Sequence, residues 1–210
     1  FNFVWDKDIP SLKYNKIEWV IENWLPKGDI CFIAGKAASF KTTICLHFGY
    51  SMAMGKLVFN KYKTIQSKVL YLNEENATPI ITSMINRIKN GLDLIEPVDN
   101  ICFSLLENLR LDSVKDLEEL ANFITNNKID VVICDSLRRF IGFDENNATE
   151  MSRFFENLKL LRKMCPCLTI LVLQQQKKEN SQYKTDLRDM LRGSSDIVNS
   201  ADSIIGISRK

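Results

Sequence analysis

The sequence holds a single histidine, His47, and no C-x-x-C pair, so the usual ligand spacings of zinc sites are missing. Its six cysteines form no obvious disulfide framework. Cys31, Cys102 and Cys134 lie inside apolar runs, where a free thiol behaves as a small hydrophobe. Cys165-Pro166-Cys167 is the one close pair, and a boundary role is expected for it rather than a metal or redox one. Reduced thiols in a cytoplasmic setting fit this pattern best. No apolar run approaches the ~18 residues of a membrane helix, so no membrane partner is expected. Phe1 to Asp8 shows no secretory pattern. Charge of one sign is not in excess either: the net charge of +2 announces neither nucleic acid nor a membrane surface. An initiator Met is absent, as expected of a fragment of a longer chain. Internal repeats and low-complexity tracts are lacking too.

What is present is an alternation. The chain of 210 residues has the length of one α/β domain, and a single domain over 1–210 is expected, with 1–16 as a lead-in segment. Strand-length apolar runs occupy Asp29 to Ala34, Lys68 to Leu72, Ile101 to Leu105, Asp130 to Cys134, Leu168 to Leu173 and Ser203 to Ile207. Between them, helical spacing of apolar residues predicts helices over Lys41 to Met54, Pro79 to Lys89, Val114 to Asn126 and Met151 to Met164. Alternating β and α units predict a mainly parallel, twisted sheet with helices on both faces. Right-handed crossovers then bring the strand C-terminal ends to one edge, where ligands bind.

The segment Gly35-Lys36-Ala37-Ala38-Ser39-Phe40-Lys41-Thr42-Thr43 follows the first strand and opens the first helix. This is the context of the phosphate-binding pattern G-x-x-x-x-G-K-[ST]. Small residues let the backbone wrap a triphosphate, and the helix start adds partial positive charge. Lys41 is expected on the β- and γ-phosphate oxygens of ATP, and the Thr42 hydroxyl on Mg2+. Phe40 stands where the pattern has its second glycine. It fits there if its backbone stays in an allowed region and its ring points away.

Carboxylates end two further strands. Asp135 closes the run Ile129 to Cys134, and if that strand neighbours the first, Asp135 lies beside Thr42 and binds Mg2+ through its water shell. Asn73-Glu74-Glu75 ends another strand, where a carboxylate can deprotonate the attacking water. Glu74 is the expected base, and Glu75 is the alternative or the first residue of the next helix. Gln174-Gln175-Gln176 ends a third strand, where an amide, Gln174 first, can feel the γ-phosphate. The polar segment Lys177 to Asp189 follows as a loop. Lys177, Lys178 and Lys184, with Tyr183 as a stacking ring, are expected to touch single-stranded DNA.

Together these residues resemble the RecA-like ATPases, most closely the plasmid and phage RepA-type replicative helicases. The resemblance runs from about Ile17 to Arg209. It is carried by Trp24 to Gly35 as the lead-in to the phosphate loop, Asp135 to Asn147 as the Walker B segment, and Arg192 to Asp202 before the final strand. It implies Lys41 and Thr42 on phosphates and magnesium, Asp135 on magnesium, and Glu74 as the water-activating acid. Where that family often has a His-His pair and then a lysine, this chain has Gln174, Gln175 and Lys178. The resemblance also implies a homo-oligomer, a hexameric ring with nucleotide between subunits, completed by a neighbour's arginine. Arg192 and Arg209 are the candidates. The expected function is therefore an ATP-driven motor on single-stranded DNA. A RecA- or KaiC-like ATPase without unwinding, or a nucleotide-gated assembly module, are the alternatives.

Overall fold

The computed structural model describes residues 3–11, 17–144, 147–175 and 200–208. A short antiparallel hairpin, β1 (Trp19–Ile21) and β2 (Leu25–Pro26), precedes the main sheet. The sheet consists of β3 (Ile30–Gly35), β4 (Val69–Asn73), β5 (Ile101–Leu105), β6 (Val131–Asp135), β7 (Thr169–Gln175) and β8 (Ser203–Ile207). Their order across the sheet is β5-β4-β6-β7-β3-β8, and every pairing is parallel. The helices are α1 (Lys41–Met54), α2 (Thr78–Gly91), α3 (Val114–Asn127), α4 (Leu137–Phe140) and α5 (Ala148–Met164). This is the RecA-like P-loop NTPase fold, a largely parallel sheet with helices on both faces.

Each helix begins and ends where local chemistry allows it. Ser113 accepts the amide of Asp116 at the start of α3, and Asn147 accepts that of Glu150 at the start of α5. Pro79 sits in the first turn of α2, where its missing N–H costs nothing. Gly55 ends α1 in the left-handed region, where a glycine carries no Cβ penalty. The predicted strands and long helices are found within a few residues of their expected limits. The hairpin and α4 were not expected, because elements of two to four residues are too short to show a period.

The core forms two layers, one on each face of the sheet. Alternate strand residues, Ile30, Phe32, Leu70, Leu72, Val132, Ile170 and Val172, pack under α3, α4 and α5. Their neighbours in sequence, Cys31, Ile33, Val69, Tyr71, Val131, Ile133, Leu171 and Leu173, pack under α1, α2 and the hairpin. α1 lies very close to the sheet: a Cβ at Gly49 would come 3.2 Å from Ile101 Cδ1. All six cysteines are free thiols.

The adjacency on which the placement of Asp135 was conditioned is not the one found. β6 does not neighbour β3, because β7 lies between them, pairing Ile170 with Ile30 on one side and Thr169 with Val131 on the other. All three strands are buried along nearly their whole length, so their apolar patterns do not reveal their order.

The face under α5 rests on Phe32 and Phe155, whose ring centroids stand 5.5 Å apart and which are 0% and 2% exposed. Phe155→Ala is expected to cost about 3–5 kcal/mol through lost burial and a cavity. Urea unfolding checks this: the midpoint should fall while the slope stays constant.

Candidate functional site

A parallel strand sends successive side chains to opposite faces, so parity decides which residues at the sheet's C-terminal edge meet α1. Gly35, Asn73, Asp135 and Gln175 share a parity with the residues packed under α1. At that edge opens a cleft of about 590 Å³, lined by Ala37 to Thr43, Glu75, Met84, Asp135, Ser136 and Gln175.

The loop from Gly35 to Phe40 turns tightly. Ala38 (φ 58°) and Phe40 (φ 64°) both occupy the left-handed region. Residues of that kind in a short loop bring peptide N–H groups into a concave anion-binding arrangement. Phe40 therefore takes the glycine conformation itself, and its side chain is 56% exposed. Gly35 is required by space: a Cβ there would come 2.5 Å from Ser39 Oγ and 2.8 Å from the Ile207 carbonyl. Lys41 Nζ folds over the loop and donates to the carbonyls of Gly35 (2.9 Å) and Lys36 (2.8 Å). Burial lowers the pKa of this ammonium, and the charges of Glu75 and Asp135 act against that.

Asp135 ends β6 and is almost fully buried. Tyr71, two residues before Asn73 on the same side of β4, donates its hydroxyl to Asp135 Oδ2 at 2.8 Å. Burial pushes the Asp135 carboxyl up to about 6, hydrogen bonds from Tyr71 and Thr42 pull it down, Glu75 raises it and Lys41 lowers it. Thr42 and Asp135 thus meet although their strands are not neighbours. Tyr71 was not expected at the site. The only signal for it was a polar-tipped ring inside an apolar strand, in step with the strand's last residue.

The two acids after β4 part company. Glu75 lines the cleft. Glu74 leaves the strand on the other side, and its carboxylate accepts the amides of Glu107 (3.0 Å), Asn108 (3.0 Å) and Leu109 (3.4 Å). The base expected at Glu74 is therefore engaged away from the phosphate loop. The same parity separates the glutamines: Gln175 lines the cleft and Gln174 is buried at 7% exposure. Lys177, Lys178, Tyr183, Lys184, Arg192 and Arg209 lie outside the described residues.

The donor set fits a triphosphate with magnesium. Ser39 Oγ is buried without a hydrogen-bond partner inside the loop. Thr42, Asp135 and Glu75 offer hard oxygen atoms on one cleft. Among the described residues no cluster of three or more His, Cys, Asp or Glu could cage a metal. Magnesium needs no such cage, since it takes one or two protein oxygens and completes its shell with phosphate and water. No helix among the described residues is long and apolar enough to cross a membrane. Compared with known families, residues 1–180 match the family model described as an AAA domain. No curated protein matches the chain.

Two outcomes follow from the local energetics. The ordinary carboxyl value for Asp135 is 3.8 and the folded value is about 6, so its ionised form opposes folding at neutral pH. That penalty fades as pH falls through about 6 and is gone below 3.8. Asp135→Asn should therefore raise the unfolding temperature at pH 8 and raise it less at pH 5, as read by thermal scans. At Phe40 the left-handed backbone costs about 1–2 kcal/mol for a residue with a Cβ. Gly there adds unfolded-state freedom worth about 0.5–1 kcal/mol. Phe40→Gly should leave stability level or higher by up to ~1.5 kcal/mol, and Phe40→Val should lower it. Chemical denaturation of both variants checks this pair.

Proposed function

We propose that this chain, which belongs to the AAA domain family and is an ATP-binding and ATP-hydrolysing P-loop NTPase domain, is the motor domain of a replicative helicase acting on single-stranded DNA. The observation that carries the hydrolytic part is the convergence of the phosphate loop, Glu75, Asp135 and Gln175 on one cleft.

In this reading the Lys41 ammonium leaves the loop carbonyls and meets the β- and γ-phosphate oxygens. Thr42 and Asp135 would hold a magnesium ion, which when bound would supply charge neutralisation at the phosphates. Glu75, not Glu74, takes the proton of the attacking water, because it is the acid that faces the cleft. Gln175 is the amide close enough to respond to the γ-phosphate. Tyr71 orients the Asp135 carboxylate through its hydroxyl.

The coupling to DNA rests on the resemblance to the RepA-type helicases and on chain order. The strand that ends in Gln174 and Gln175 leads directly to Lys177, Lys178, Tyr183 and Lys184. A change at the amide when phosphate departs would pass first to these residues. Assembly as a hexameric ring, with a neighbour's arginine completing the cleft, is part of the same proposal.

Lys41→Ala is expected to weaken ATP binding about 10- to 100-fold, the value of a charge-assisted contact. Glu75→Gln should retain binding and lose about 10²–10⁴ in turnover. In the parent chain, ATPase rate should rise with single-stranded DNA, and a forked duplex should be opened. Turnover that ignores DNA, with no strand separation, would remove the helicase reading and leave the ATPase.

A further inference from the structure

We propose that Glu74 is a positioning residue that clamps the loop after β5 and so holds Glu75 over the cleft; the proposal rests on the reading of Glu75 as the water-activating acid. Glu74 and Glu75 are adjacent, and the one is bound to the loop after β5 while the other lines the cleft, so holding Glu74 fixes the backbone from which Glu75 reaches the cleft. The Glu74 carboxylate accepts three consecutive backbone amides, Glu107, Asn108 and Leu109, at 3.0, 3.0 and 3.4 Å. Leu106 (φ 60°) and Asn108 (φ 57°) hold that loop in the left-handed region, the turn that lets successive amides converge on one anion. Bonds to an ionised acceptor of this kind are stronger than neutral ones.

The clamp sits within a wider strap across the strand ends. The Glu74 amide donates to the Asp135 carbonyl at 3.0 Å, and the Leu106 amide to the Asn73 carbonyl at 2.9 Å. Further along the loop, the Leu111 amide donates to the Phe140 carbonyl at 2.9 Å. Asp112 is paired with Arg110 at 3.0 Å and accepts the Gly142 amide at 2.7 Å. A Cβ at Gly142 would come 2.1 Å from Arg110 Nη2, the mobile end of a side chain that can shift aside. The ends of β4, β5 and β6 are thus tied together just outside the cleft, with the Glu74 carboxylate as the charged knot. A water-activating acid at the end of a free strand would swing, and this one is braced from behind.

The test compares Glu74→Gln, Glu74→Ala and Glu75→Gln in the whole chain, by steady-state ATPase and by amide hydrogen exchange. Glu74→Ala is expected to lower kcat about 10- to 100-fold, as loss of an orienting partner does, with KM for ATP nearly unchanged. Glu74→Gln keeps one acceptor oxygen, so its kcat should lie between Glu74→Ala and the parent. Exchange at Glu107, Asn108 and Leu109 should speed up in both Glu74 variants. Full kcat in Glu74→Ala, or unchanged exchange at those three amides, overturns the clamp. If Glu74→Gln is as inactive as Glu74→Ala and Glu75→Gln is active, Glu74 is itself the base and the proposal falls. Full activity in Glu75→Gln with graded loss in the Glu74 variants overturns the underlying reading of Glu75, and is told apart by the exchange result.

Discussion

In a buried parallel strand the side chains alternate between the two faces, and this two-residue period decides the chemistry of the site. α1 covers one face, so within each strand the residues in step with that face are the ones directed toward the phosphate loop. Asp135, Glu75 and Gln175 are in step. Glu74 and Gln174, one position earlier, are not. A shift of one residue in any of these strands would exchange a cleft group for a buried or clamped one.

The same rule explains why the cleft tolerates a costly carboxylate. Asp135 is held in its charged form by Tyr71 and Thr42 against burial that favours the neutral acid. Stability is given up locally at the position where a negative oxygen is useful. Ala38 and Phe40 show the same compromise in the backbone, since both accept left-handed conformations that glycine would adopt freely. The rest of the sheet, apolar on both faces, supplies the rigidity that keeps these unfavourable features in place.

Between the strand ends, directional hydrogen bonds add to apolar packing as the means of order. Glu74 and Asp112 join loops at the rim of the cleft, while Leu111, Phe140 and Ile141 of the same segments are buried in the core. In GTPases, loops ordered by γ-phosphate contacts are released on hydrolysis.

Much of this was legible from sequence. Apolar runs of strand length located the six strands of the main sheet, most plainly β3, β4, β6 and β7, which are buried on both faces, and helical spacing located the four long helices. Gly35 to Thr43 and Asp135 were recognisable because a strand–loop–helix with lysine and threonine, and an acid closing a strand, are local patterns. What sequence could not decide was strand order, since β3, β6 and β7 are equally apolar and their neighbours are chosen by packing. For the same reason it could not choose between Glu74 and Glu75, or between Gln174 and Gln175. Local chemistry makes each pair equivalent; only the face on which α1 docks, a property of the folded chain, tells its members apart.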